Sequence, residues 1–203
     1  MPLLFEVHDA ERFGREVLPA LVESRRRRSF EPCRELCAAL LPAVRESCGS
    51  DWEIQVVSRV VAGLDFASEF WRGLVDEVLL FAAVEVPPVA DARETLCRLL
   101  QSCGDSRDTG HAKPQALLIE HSYQGSRDLV VGPVCYRPLA VGVNDPKDVA
   151  RLAHLLAAVN PDSWDPGLLD ADELDYARQA LVDLQSLYGR AAAEGRLIVC
   201  EAW

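Results

Sequence analysis

The sequence lacks an apolar run long enough to cross a bilayer, and it lacks an excess of basic residues. No window approaches the roughly 20 apolar residues of a membrane-spanning helix; the most apolar stretch, 74–89, contains three acidic residues and two prolines. With 32 acidic residues against 21 lysines and arginines, the net charge at pH 7 is −11. Affinity for nucleic acid comes mainly from neutralising phosphates with Lys and Arg. We therefore predict neither a membrane nor a nucleic acid as a partner.

The usual signatures of catalysis and secretion are also missing. No glycine-rich loop precedes a helix to hold phosphate, and nothing resembles the nucleophile elbow of a hydrolase. The first residues, 1–5, include no basic segment of the kind that opens a secretory signal. Seven cysteines, an odd number, scatter through apolar surroundings, which is typical of reduced thiols rather than a disulfide framework. We expect a cytoplasmic protein without a bound cofactor.

Two groups of cysteines have spacings that could serve a metal. The groups are Cys33 and Cys37 with Cys48, and Cys97 and Cys103 with His111. Structural zinc uses two close thiolate pairs, each with roughly two to four residues between the ligands, and a second such pair is missing here. Cysteine is among the most buried residue types, so packing in the core is the favoured interpretation and no metal site is predicted.

The last third of the chain, 144–203, carries the clearest secondary-structure signals. Asp145 is placed to cap a helix that ends before Pro161, because its apolar residues recur at three- and four-residue steps. A capping box at Asp170 opens a second helix that Gly195 ends. The apolar, partly β-branched residues that follow predict a buried final strand.

The first half reads as mostly helical. A short strand at 3–7 precedes a helix capped by Asp9, and the four arginines Arg25–Arg28 fall at the end of that helix, where cations complement its dipole. Pro42 predicts a kink or a break in the next helix. A further segment is apolar around most of its circumference and is expected at the centre of the helical half. The predicted helices after the first cover 30–48, 52–62, the apolar segment 65–83, and 91–103.

In the second half, after an exposed loop expected at 104–114, the spacing of apolar residues is no longer that of a helix. Segments 116–123, 129–131 and 134–143 are short and rich in β-forming residues, and with the terminal strands they would make a sheet of about four or five. We therefore predict an α+β fold, predominantly helical, with one small mixed or antiparallel sheet that includes the N- and C-terminal strands. The chain 1–203 is expected to be one domain. If it subdivides, the loop separates a mainly helical part, 1–104, from an α+β part, 115–203.

Two stretches carry a resemblance to a known family. The helix start Asp145-Pro-Lys-Asp-Val-Ala-Arg-Leu and the helix end Leu187-Tyr-Gly-Arg-Ala-Ala-Ala-Glu-Gly195 resemble the C-terminal part of the YfbM-like family of uncharacterised bacterial proteins. The layout of 1–25 is similar too. The resemblance implies a bacterial protein with an α+β fold. It brings no established activity and no catalytic residues, and a shared fold alone would not fix the function.

The densest group of reactive side chains surrounds His121. If 116–123 is a strand, alternate residues face opposite ways, so Glu120 and His121 point apart, and a polar patch at the strand end is favoured over a catalytic site. The enzyme alternative would use His121 with Glu120, Asp128 or Cys135. It has no identified reaction, and the oligomeric state is left open.

Carboxylates crowd the loop before the last helix. They are Asp162, Asp165, Asp170, Asp172, Glu173 and Asp175. Some favour the positive end of the helix dipole, and their spacing does not match a calcium loop. Trp164 lies among them, either as an exposed anchor for a partner or, as the favoured interpretation, folded back onto the protein.

The leading hypothesis is a binding protein that presents this acidic face, with Asp162, Trp164, Asp165, Asp172 and Glu173, to a protein partner. An immunity-type or antitoxin-like inhibitor would have this character. A third alternative is a structural subunit of a larger complex, for which the apolar segment 65–83 would be partly exposed.

Overall fold

A computed structural model describes most of the chain, and the described residues divide into two compact units. The described residues are 3–47, 78–103, 112–131, 134–136, 140–165 and 167–202. Unit 1 comprises Met1–Phe5, Pro87–Asp128 and Leu139–Trp203, and unit 2 comprises Glu6–Val86 and Leu129–Pro138. The loop 104–114, where we expected any subdivision, lies within one segment of unit 1 and does not separate the two units.

The elements alternate between helices and a few short strands. The strands are β1 (Leu3–His8), β2 (Arg127–Val131), β3 (Val134–Tyr136), β4 (Ala140–Asn144) and β5 (Leu197–Ala202). The helices are α1 (Ala10–Arg12), α2 (Leu18–Arg27), α3 (Glu31–Ser47), α4 (Arg93–Cys103), α5 (Ala112–Gln124), α6 (Pro146–Ala157) and α7 (Ala171–Ala193). A π-helical turn, Phe13–Val17, joins α1 to α2, a 3-10 turn, Pro161–Ser163, follows α6, and residues 78–82 are also helical.

The strands form one sheet in the order β1-β5-β4-β2-β3. In unit 1, β4 pairs antiparallel with β5, so that Val143 lies opposite Val199, and with β2, so that Gly142 lies opposite Asp128. In unit 2, the continuation of β2 pairs antiparallel with β3. The strands nearest the two chain termini are neighbours in this sheet. The predicted α+β class, with one small sheet that includes the terminal strands, is confirmed.

Local capping chemistry sets the helix starts of unit 1. The carboxylate of Asp145 accepts hydrogen bonds from the backbone N–H groups of Lys147 and Asp148, both at 2.9 Å. The carboxylate of Asp170 accepts from the N–H of Glu173 at 2.8 Å. Each bond satisfies a donor that the first turn of a helix leaves without a partner. The predicted starts of α6 and α7 are therefore confirmed, as is the final strand.

Helices α6 and α7 pack against each other through their apolar faces. Val149, Leu152 and Leu156 of α6 are fully buried. Buried side chains also recur at helical spacing along α7, where the buried leucines and tyrosine are Leu174, Leu181, Leu184, Leu187 and Tyr188. Beyond the last turn, Gly195 has φ +64°, a conformation that glycine adopts without strain.

Unit 2 begins with the expected capped helix. The carboxylate of Asp9 accepts from the N–H of Arg12 at 2.9 Å, and α2 ends at Arg28, whose φ is 52°. The arginine run thus occupies the last turn of α2, as predicted. Helix α3 continues across Pro42 to Ser47, so the helix does not break at that proline, and the kink that we gave as the alternative stays a prediction.

The predicted strand at 116–123 is wrong, because these residues belong to α5. Leu118, Ile119, Ser122 and Tyr123 are buried, whereas Leu117 and the residues at 120 and 124 are exposed. Burial at steps of one, three and four residues is the period of a helix. A short apolar run does not by itself distinguish a buried strand from a buried helix, and the helix packs this face inward.

Several predictions fall on residues outside the described ranges. The helix at 52–62 lies outside them entirely, as do 65–77 of the apolar segment 65–83, while 78–82 are helical and mostly buried. In the loop 104–114, residues 112–114 are the first residues of α5. The remaining residues, 104–111, are not among those described.

Candidate functional site

The acidic surface comprises the carboxylates of the loop before α7 and of its first turns, and every one of them is exposed. Its members are Asp162, Asp165, Asp170, Asp172, Glu173 and Asp175. The 3-10 turn carries Asp162, the loop carries Asp165, and the start of α7 carries the rest. The N-terminal end of a helix favours negative charge, so the fold keeps these acids together at little electrostatic cost.

Two arginines compensate part of the acidic surface. Arg98 of α4 lies 3.7 Å from Glu173, and Arg178 lies 3.2 Å from Asp175, one turn further along α7. Both pairs are exposed, and such pairs contribute little to stability because water and salt screen them. In the part of the chain that the structure describes, Asp162, Asp165 and Asp172 have no ion-pair partner. The surface therefore keeps an excess of negative charge that is free to meet a cation.

Trp164 does not offer an exposed anchor within this surface. Its side chain is only 4% exposed, because the 3-10 turn places it on the inner side of the loop while the neighbouring carboxylates stay in water. The interpretation in which the ring folds back onto the protein is confirmed, and the ring is not an exposed anchor in this structure.

The four residues of the enzyme alternative are distributed over three elements. Glu120 and His121 are in the last turns of α5, Asp128 is in β2, and Cys135 is in β3. Glu120 is exposed, His121 is partly buried, and the His121 ring makes no hydrogen bond among the described residues. Asp128 belongs to unit 1 and Cys135 to unit 2. Because α5 is a helix, the alternation of side chains in a strand does not separate Glu120 from His121. A catalytic role for these four residues stays a prediction.

A buried polar network centred on Asn144 was not anticipated from the sequence. Its Nδ2 donates to the carbonyl of His121 at 3.0 Å and to the hydroxyl of Tyr188 at 2.9 Å. Its Oδ1 accepts from the backbone N–H and the hydroxyl of Ser126 at 2.8 and 2.7 Å. Tyr188 in turn donates to the carbonyl of Ser122 at 2.7 Å. The network joins the end of α5 to β4 and α7.

Burial keeps this network in one protonation state. Desolvation raises the pKa of Tyr188 well above its ordinary value, and the neighbouring thiol of Cys200 adds to the effect. The hydroxyl therefore stays protonated and remains a donor at neutral pH. A lone Asn at the end of the apolar strand β4 gave no signal of this role, because its three partner residues lie 18 to 44 positions away in the chain.

A second buried polar pair lies in unit 2. Glu6 and His8 point to the same face of β1, as residues two apart in a strand do, and both are fully buried. The Nε2 of His8 lies 3.2 Å from the Glu6 carboxylate, and the ring packs edge-on against Phe13 with centroids 5.1 Å apart. Desolvation lowers the pKa of His8 to about 3, so the ring is neutral at pH 7 and its Nε2 lies within hydrogen-bond distance of the Glu6 carboxyl group.

The cysteines whose side chains are described are mostly interior. Cys33, Cys37 and Cys200 are buried, and Cys97 is partly buried. Burial raises the pKa of the Cys33 thiol to about 11, and this thiol lies 3.1 Å from the hydroxyl of Ser24. Among the described residues, no group of three His, Cys, Asp or Glu side chains is arranged to hold a metal.

Comparison with protein families, curated proteins and solved structures gives no match for this chain. The resemblance to the YfbM-like family therefore stays a prediction. In the described part of the chain, no helix combines the length and the apolar composition that crossing a membrane requires.

Proposed function

We propose that the chain is a cytoplasmic bacterial binding protein whose acidic surface docks on a basic protein partner. An immunity-type or antitoxin-like inhibitor, which covers a cationic protein, is the form of this function that the charge supports. The resemblance to the YfbM-like family adds the bacterial source to the proposal and adds no activity.

The observation that carries the proposal is the set of carboxylates without a described ion-pair partner before and at the start of α7. Asp162, Asp165 and Asp172 are exposed and lack an ion-pair partner among the described residues. Concentrated charge of one sign steers an oppositely charged protein towards the surface and raises the association rate. The charge of −11 on the whole chain acts in the same direction at longer range.

Neutralising these three carboxylates tests the proposal. In the triple variant Asp162→Asn, Asp165→Asn, Asp172→Asn, we expect basic proteins captured from a bacterial lysate at low salt to fall by at least tenfold. The reason is that most of the uncompensated charge is gone. The measurement is quantitative mass spectrometry of the captured proteins at low and at physiological ionic strength, because screening weakens attraction between exposed charges.

A matched variant separates local charge from net charge. Glu16, Glu35 and Glu94 are also exposed, and replacing them with Gln removes the same three charges at other places. This control should keep at least half of the capture seen with the unmodified chain. Equal losses in the two triple variants, or capture that the Asn variant retains, would refute the acidic surface as the docking site.

A further inference from the structure

Trp164 is buried although its polar atom has no hydrogen-bond partner. The side chain is 4% exposed, and its indole Nε1 finds no acceptor among the described residues. An indole nitrogen is a donor only, and burying a donor without an acceptor opposes the favourable burial of the ring. Burial of the Trp164 ring is therefore favourable, while burial of its unpaired N–H is unfavourable. A conformation that gives the N–H an acceptor removes the unfavourable contribution.

Three described hydrogen bonds from backbone N–H groups of the loop that carries Trp164 have their acceptors within the loop. The N–H of Trp164 donates to the carbonyl of Pro161 at 3.3 Å, and the N–H of Leu168 donates to the carbonyl of Asp165 at 3.3 Å. The N–H of Gly167 donates to the Asp165 carboxylate at 2.8 Å. None of these three bonds reaches α6 or α7. A movement of the loop as a unit, which carries the Trp164 ring with it, therefore leaves these three bonds intact.

The residues on both sides of Trp164 suit a cationic ligand. Asp162 and Asp165 are exposed carboxylates of the acidic surface, two positions before the tryptophan and one after it. A Lys or Arg side chain over an indole face is attracted within about 6 Å of the ring centroid. A basic polypeptide offers both groups that this loop lacks, a cation for the carboxylates and a backbone carbonyl for the indole N–H.

We propose that Trp164 is a latch on the acidic surface. In the free chain the ring is buried and opens locally, at the population of roughly 0.1–10% typical of a minor conformational state. A basic partner stabilises the open state, in which the indole N–H donates to a carbonyl of the partner and the ring contacts its cationic side chains. The opening is a property of the free chain, while the identity of the occupant rests on the proposed function.

Hydrogen exchange of the indole N–H in the free, full-length chain tests the opening. The resonance of Trp164 is assigned as the one that disappears in Trp164→Phe. Local opening exposes little surface, so we expect its exchange rate to change little in low urea, while the amides of Leu181 and Leu184 in α7 accelerate steeply. An indole proton that exchanges with the same urea dependence as these amides would leave the interior only on global unfolding, and the latch would be refuted.

An oligo-arginine peptide tests the coupling to a basic partner. At low salt the peptide should shift the indole N–H resonance of Trp164, because the N–H leaves the interior and donates to a carbonyl of the peptide, and it should have no such effect in the triple variant of Asp162, Asp165 and Asp172. A Trp164 resonance that the peptide leaves unchanged would refute the coupling. This failure is distinguishable from failure of the proposed function, because capture of basic proteins by the acidic surface is measured separately and does not depend on Trp164 moving.

Discussion

At the scale of single residues, Asn144 determines how the interior of unit 1 is joined. Its side-chain amide makes four hydrogen bonds. It accepts two from Ser126 and donates to the carbonyl of His121 and to the hydroxyl of Tyr188. The side chain is fully buried, so water cannot replace any of these partners. In a low-dielectric interior, a network in which every group is satisfied stabilises one arrangement, and a partly satisfied one destabilises it.

Replacing Asn144 should therefore destabilise the fold by much more than an average substitution. For Asn144→Ala we expect a loss of about 3 kcal/mol in the free energy of unfolding, because buried partners are left unpaired. Asn144→Asp should cost a similar amount, since a carboxylate accepts but cannot donate to the carbonyl of His121 and the hydroxyl of Tyr188. Urea unfolding followed by circular dichroism measures both.

The partly buried Ser126 provides the comparison for this prediction. Its hydroxyl is accessible enough for water to take over part of its role, so Ser126→Ala should cost about 1 kcal/mol. If Asn144→Asp were as stable as the unmodified chain, the donor half of the amide would be unimportant and the account of the network would be wrong.

At the scale of elements, the end of α5 lies against β4 with no room for a side chain. Gly125 follows the helix with φ +78°, and Gly142 faces it from the middle of β4. A Cβ on Gly142 would collide with the backbone carbonyl of Gln124, and one on Gly125 would collide with the backbone of Gly142. Both neighbours are backbone atoms, so a change of rotamer cannot relieve the clash.

Two glycine-to-alanine substitutions should therefore change the free energy of unfolding in opposite directions. Gly142→Ala is expected to destabilise the fold by several kcal/mol, because α5 or β4 must shift as a unit. Gly189 lies on the exposed side of α7 with nothing near its would-be Cβ. Gly189→Ala should stabilise by about 0.8 kcal/mol through helix propensity. Thermal and urea unfolding report both, and a neutral Gly142→Ala would contradict the close approach of α5 and β4.

At the scale of the whole molecule, the two ends of the chain meet in one sheet. Strand β1 lies beside β5, and β5 pairs along its length with β4. Every side chain from Leu197 to Glu201 is buried. The final strand therefore completes a sheet whose other members come from residues 3–8 and from residues 127–144.

Removing the final strand should prevent unit 1 from folding. A chain that stops at Arg196 exposes the edge of β4 that pairs with β5 and the parts of α5 and α6 that β5 contacts. We therefore expect loss of amide protection in α6 and in α7, which packs against it. A circular permutant tests whether the absence of β5 is the reason for this loss. It begins at Leu197 and connects Trp203 to Met1 through a flexible linker of about ten Gly and Ser residues. The permutant should recover protection; a protected truncated chain, or an unfolded permutant, would contradict this account.

The helix starts were predictable because their signals are local. Asp9, Asp145 and Asp170 cap helices through contacts within three residues of themselves, and such contacts can be read from spacing alone. Helix α5 was not predictable in the same way. Its apolar residues suit a buried strand or a buried helix equally well, and packing of one face decided between them.

The same distinction between local signals and tertiary packing applies to the candidate site. Clustering of carboxylates before α7 follows from the sequence, and so does their exposure, because charged side chains are costly to bury without partners. The position of Trp164 does not follow from the sequence, since an aromatic residue in a polar loop can either anchor a partner or fill the interior. The network of Asn144 joins residues from distant parts of the chain, and no local pattern reports such contacts.

The sequence by itself determined the α+β class, the capped helices, the terminal strands and the negative charge, because these depend on composition and on interactions over a few residues. Only the tertiary structure decided that α5 is a helix, that Trp164 is buried, and that Asn144 and the Glu6 and His8 pair are interior. Burial is a property of what packs around a residue, and the groups that surround these side chains are brought together by the fold rather than by their spacing in the chain.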